Sequence, residues 1–78
     1  MSEVEHRIIS CFASVLQKAE SDITMLTDFF TDLGGSSLDY FVLLDTLKSQ
    51  FNFEISEARD GKMSTPKAFY DLIRGEKK

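Results

Sequence analysis

Val4, Ile8, Cys11, Phe12, Val15, Leu16 and Ala19 recur at spacings of three and four residues between about Ser2 and Lys18. Apolar side chains so spaced fall on one face of a helix, so this stretch predicts an amphipathic α-helix. Ser2 and Glu5 stand at capping-box separation at its start. From about Glu20 to Gly35 the period breaks down, with polar residues interrupting Ile23, Met25, Leu26, Phe29, Phe30 and Leu33. Structureless connections of that length are uncommon in a small domain. The apolar residues therefore predict a loop pinned across the core, with a short helical turn at Thr27 to Phe30. The helical period returns from about Ser37 to Phe51, where Tyr40, Leu43, Leu44, Leu47 and Phe51 share one face and form the expected core stripe. Leu38, Val42, Asp45, Thr46 and Ser49 fall on the opposite face, with Phe41 and Lys48 on its flank.

Asn52 to Met63 is weakly patterned; Phe53 and Ile55 read as anchors, and a short helix is expected near Ser56 to Asp60, before Gly61. Ser64-Thr65-Pro66 then supplies a capping residue followed by proline at a first helical position. The last helix so begun offers Ala68, Phe69, Leu72 and Ile73 as its apolar face, and Lys77 and Lys78 beyond its end suit the helix dipole. The pattern as a whole predicts an all-α fold, a small bundle of three main helices plus a short fourth. Residues 1–78 read as one domain with a flexible polar tail over about 75–78, and Met1 and that short tail favour a free-standing protein.

Composition narrows the function classes. A chain of 78 residues buries only about 60% of its unfolded surface. The core is modest, and a deep, water-excluding active site is not expected. An apolar content of 42% is ordinary for a globular domain and argues against disorder. The net charge of −4, from 9 basic and 13 acidic residues, argues against nucleic acid as a partner, which needs clustered Lys and Arg. No apolar run approaches the roughly 20 residues of a membrane span, and no signal peptide is visible, so a cytoplasmic protein is expected. Cys11 is the only cysteine and His6 the only histidine, which leaves neither a disulfide nor a metal-ligand cluster. Five residues apart on a helix, they diverge around its axis and make no Cys–His pair. On the apolar stripe, Cys11 reads as a small buried hydrophobe.

The run Asp32-Leu33-Gly34-Gly35-Ser36-Ser37-Leu38-Asp39 marks the point where the polar loop meets the central helix. A helix start presents unpaired N–H groups and partial positive charge, a natural seat for a phosphate. Ser36 is the expected N-cap, its hydroxyl engaged by the N–H of Leu38 or Asp39, and Asp39 in the first turn suits the dipole. Ser37, at the first helical position, has no such duty and can point outward. Gly34 and Gly35 remove side chains that would crowd an approaching partner, and they permit unusual backbone angles. Leu38, Phe41 and Val42 lie outside the core stripe, within about a turn of Ser37. They read either as scattered exposed hydrophobes, with Phe41 packed under the loop, or as an apolar docking patch beside the serine.

Asp32-Leu33-Gly34-x-x-Ser37-Leu38-Asp39 resembles the attachment motif of acyl carrier proteins, and Phe29-Phe30-x-x-Leu33-Gly34-Gly35-x-Ser37-Leu38 resembles the peptidyl carrier version. In both patterns the modified serine precedes the leucine, which registers on Ser37, in agreement with the capping argument. The likeness runs through nearly the whole chain, to Phe51, Ile55 and the Thr65-led helix. It implies a carrier rather than an enzyme, acting as a monomer. A phosphopantetheinyl transferase would transfer 4′-phosphopantetheine from coenzyme A to Ser37, supported by Gly34, Gly35 and Ser36. An acyl- or aminoacyl-loading ligase would charge the arm's thiol. Downstream synthase, condensation or tailoring enzymes would dock on Leu38, Asp39, Phe41, Val42 and Asp45. A long acyl chain could fold back among the helices.

The chain departs from fatty-acid carriers in two ways: Ser36 stands where Asp is usual, and the central helix carries Val42 and Lys48 beside Asp39 and Asp45. Both departures point towards a dedicated pathway making a polyketide, a nonribosomal peptide or a specialised lipid, with weaker electrostatic steering and more apolar contact. Thr65-Pro66 is also similar to D-alanyl carriers, although the Gly-Gly-x-Ser motif is not. The rival from another class is a helical protein-interaction module that is never modified. A nucleotide-binding loop lacks its lysine and preceding strand, and no acid or base stands by Ser37 to make it a catalytic nucleophile.

Overall fold

The computed structural model describes residues 2–51 and 63–74. Among these residues the chain forms three α-helices and no strand: α1 (Glu3–Leu16), α2 (Ser37–Phe51) and α3 (Pro66–Ile73), with a 3-10 turn at Glu20–Asp22 in the α1–α2 connection. Expectations for Phe53, Ile55, the helix near Ser56 to Asp60 and the tail from Gly75 to Lys78 lie outside the described residues. None of the described helices is long and apolar enough to cross a membrane.

α1 starts as its sequence dictates. Ser2 Oγ accepts from the Glu5 N–H, and Glu5 Oε1 accepts from the Ser2 N–H at 2.8 Å, closing the capping box. It ends earlier than the apolar period suggested. Gln17 takes a left-handed conformation (φ 58°) and its N–H bonds the Ala13 carbonyl, so Ala19 falls beyond the helix and is exposed. The buried stripe is also wider than expected, because Ile9 and Ala13 join Ile8, Cys11 and Phe12. α1 packs against both α2 and α3 and so covers two neighbours rather than one.

The core joins Ile8 and Phe12 of α1 to Ile23 and Phe29 of the connection, Tyr40, Leu43, Leu44 and Leu47 of α2, and Phe69 of α3. Aromatic rings link the four parts. Phe12 meets Phe29 edge-on at 5.6 Å and Phe69 at 6.0 Å, and Tyr40 meets Phe29 at 5.7 Å. These are favoured quadrupole geometries, each contributing about 0.5–1.5 kcal/mol beyond area burial. Thr46 departs from its assignment to the outer face: it is half-buried and lines a shallow groove between α1 and α2 with Arg7, Ser10 and Cys11. Arg7 closes one end of that groove, its guanidinium 4.8 Å above the Phe51 ring and donating to Gln50 Oε1 at 2.8 Å.

Candidate functional site

The loop leading to α2 is built around Asp28. Its Oδ1 accepts from the N–H groups of Phe30 (2.8 Å) and Thr31 (2.9 Å), so Asp28 caps a short helical turn at residues 29–33. That turn sits further along the chain than the expected Thr27 to Phe30, because Asp28 rather than Thr27 is its cap. Thr27 instead accepts from the Thr24 N–H. Asp32, the first residue of the glycine-serine motif, accepts from the Asp28 N–H at 2.9 Å and staples the turn from its far side. Hydrogen bonds from two N–H groups and from the Ser64 hydroxyl all favour the ionised Asp28. They hold its carboxyl below the usual carboxylate range, the Thr31 N–H contributing most.

The two glycines do different jobs. Gly34 has φ +73° and ends the turn as a left-handed cap, its N–H bonded to the Phe30 carbonyl at 3.0 Å. A Cβ there would meet only open space. At Gly35, by contrast, a Cβ would lie 2.4 Å from Cε2 of Phe29. Its missing side chain makes room for a core ring rather than for a visiting partner, which corrects the expectation from sequence. The backbone at Gly35 therefore lies directly on the core, and the helix start that follows is fixed to it.

Ser36 and Asp39 close a second capping box. The Asp39 N–H donates to Ser36 Oγ at 3.2 Å, and the Ser36 N–H donates to Asp39 Oδ2 at 3.1 Å. Both side chains are thus committed to the backbone of the first turn. Ser37, the first residue of α2, is exposed and takes no part in that box. Leu38 is 77% exposed, and Phe41 and Val42 are each 53% exposed. Phe41 does not pack beneath the loop; that place belongs to Tyr40, whose ring lies 5.2 Å from Phe30. Asp45 is exposed too. His6 is exposed and paired with Glu20 at 2.9 Å, and Cys11 is buried on α1. Burial pushes the Cys11 thiol up, partly opposed by the charge of Arg7. No cluster of metal-ligand side chains occurs among the described residues.

A family model described as the phosphopantetheine attachment site matches residues 6–73. The chain belongs to that family. It is a carrier domain for 4′-phosphopantetheine, and its role is to hold that group rather than to catalyse a reaction. The match runs from the first turns of α1 to the end of α3, so it takes in the whole arrangement just described. The local chemistry of this carrier domain fits such a group: an exposed hydroxyl stands on the first turn of a fifteen-residue helix, where unpaired N–H groups and the dipole favour a phosphodiester anion.

Sequence reasoning overlooked Asp28 and Ser64 as parts of the site, and it placed Phe29 in the motif without showing that its ring lies against Gly35. Asp28 carried a readable signal, since an Asp directly before an apolar pair is a strong cap. The position of Ser64, 36 residues away, carried none.

Proposed function

We propose that Ser37 is the attachment residue and that the chain is a carrier of acyl or aminoacyl thioesters for a dedicated biosynthetic pathway. The observation that carries this is the division of labour between adjacent serines: Ser36 is spent in the capping box, while Ser37 is exposed on the helix start. The Ser37 hydroxyl oxygen forms the new phosphodiester bond as the pyrophosphate bond of coenzyme A breaks. The 3′,5′-bisphosphate of adenosine leaves, and the hydroxyl proton passes to the transferase. The attached arm supplies a terminal thiol that holds cargo as a thioester. Gly34 and Gly35 set the path of the loop, and Ser36 and Asp39 hold the first turn in register, so Ser37 is offered at a fixed place.

Partner enzymes dock on the outer face of α2, through Leu38, Phe41 and Val42 with Asp39 and Asp45 at their side. Three large apolar side chains more than half exposed within two turns form a patch suited to contact rather than to long-range steering. Lys48 on the same helix further thins its negative charge. Those features favour cognate enzymes of a polyketide, nonribosomal-peptide or specialised lipid pathway over partners that recognise a strongly acidic helix. The test is incubation with a broad-specificity phosphopantetheinyl transferase and coenzyme A, followed by intact-mass measurement. One phosphopantetheine adduct is expected on the wild type and on Ser36→Ala, and none on Ser37→Ala. An adduct that survives Ser37→Ala would move the attachment elsewhere, and none at all would favour an unmodified interaction module.

A further inference from the structure

The segment leading into α3 grips the attachment loop at several points. The Phe29 N–H donates to the Ser64 carbonyl at 2.7 Å, and the Ser64 hydroxyl donates to Asp28 Oδ2 at 2.7 Å. The Lys67 N–H donates to the Met25 carbonyl at 2.9 Å, and the Tyr40 hydroxyl donates to the Met63 carbonyl at 2.7 Å. One short stretch, residues 63–67, thus holds both the loop and α2, the two elements between which the glycine-serine motif is suspended.

Of these four bonds, the Ser64–Asp28 bond alone joins two side chains. Its 2.7 Å length is well formed for an O–H···O bond. Asp28 has its two oxygens divided: Oδ1 holds the turn through Phe30 and Thr31, and Oδ2 holds Ser64. The turn that delivers Gly34 and Gly35 to the helix start is therefore tied across the fold to α3. We infer that Ser64 is a positioning residue for the transfer of the arm to Ser37: its hydroxyl, through Asp28, fixes the loop on which the transferase must find that serine. This rests on Ser37 as the attachment residue.

Loss of the hydroxyl leaves the Phe29–Ser64 backbone bond in place, so the loop loosens without detaching. A looser loop must be ordered when the transferase binds, and that cost appears in KM rather than kcat. The test is steady-state phosphopantetheinylation by the same transferase, with wild type, Ser64→Ala and Ser64→Thr. Alongside it, amide exchange is measured at Gly34, Gly35 and Ser36, whose N–H groups are bonded to Phe30, Phe29 and Asp39. Ser64→Ala is expected to lose roughly three- to tenfold in kcat/KM, mostly through KM, as for the net loss of one ordinary, solvent-accessible hydrogen bond. It should also speed exchange at those three amides while leaving Ile8 to Phe12 of α1 unchanged. Ser64→Thr, which keeps the hydroxyl, should restore both. Wild-type kcat/KM and exchange in Ser64→Ala, or equal losses in Ala and Thr, would overturn the positioning role alone. A wild type that accepts no adduct would overturn the attachment reading and the positioning role together.

Discussion

Gly35→Ala is expected to destabilise the fold although alanine has no intrinsic difficulty with a helix start. The added Cβ would stand 2.4, 2.7 and 2.9 Å from three carbons of the Phe29 ring, where ordinary contact begins at 3.4 Å. The ring would have to retreat by about 1 Å, and overpacking of that kind costs about 1–3 kcal/mol. Retreat is not cheap, because Phe29 is wholly buried and meets Phe12, Phe30 and Tyr40 edge-on at 5.3–5.7 Å. Against that stands a gain of about 0.4–1 kcal/mol from restricting the unfolded chain. The net loss is about 1–2 kcal/mol, or roughly 5–15 °C in Tm for a domain of this size. Urea unfolding followed by far-ultraviolet circular dichroism reads it as a lowered midpoint with unchanged slope. A double-mutant cycle isolates the cause: in a Phe29→Leu background the Gly35→Ala cost should shrink by at least about 0.5 kcal/mol. A neutral or stabilising Gly35→Ala, or additive effects in the cycle, would refute the close approach of loop and ring.

Three further expectations concern charge, the thiol and docking. Because its folded pKa is lowered, Asp28 contributes stability above its unfolded pKa and loses it as pH falls through the folded value. Wild type should therefore be more stable than Asp28→Asn at neutral pH, the gap narrowing below the ordinary carboxylate range near 3.8; a constant gap from neutral pH to acid would contradict this. Cys11 is buried with its thiol pKa raised, so it should react slowly with a disulfide reagent at mildly alkaline pH until denaturant is added; rapid reaction of the native protein would show that α1 does not shield it. On the outer face of α2, Val42→Glu should slow charging by the cognate loading enzyme more than Lys48→Ala does, and equal loading rates would count against an apolar docking patch.

What could be read from the chain alone was local. The Ser2–Glu5 box, the stripe of Tyr40, Leu43, Leu44 and Leu47, the Ser36 cap and the Thr65-Pro66 helix start each depend on residues within a turn or two of one another. The exposure of Ser37 beside the Ser36 cap was legible for the same reason, since capping acts over neighbouring positions. Other features arise only when distant segments meet. Gly35 lies against a ring that faces three other aromatics, and no periodicity reports that. Thr46 turned out to face α1 because helix packing, not the helical wheel of α2 alone, decides which outer residues are covered. Ile9 and Ala13 were missed because α1 serves two neighbours. The Ser64 hydroxyl found Asp28 through the tertiary fold, across 36 residues.

Peptide mapping of the protein after phosphopantetheinylation tests the central claim most directly. Fragmentation that preserves the phosphodiester, applied to the peptide spanning Asp32 to Lys48, assigns the added mass between the adjacent serines. The expected result is an adduct carried wholly on Ser37, with Ser36 unmodified. An adduct on Ser36, or on neither serine, would contradict the division of labour on which the assignment stands.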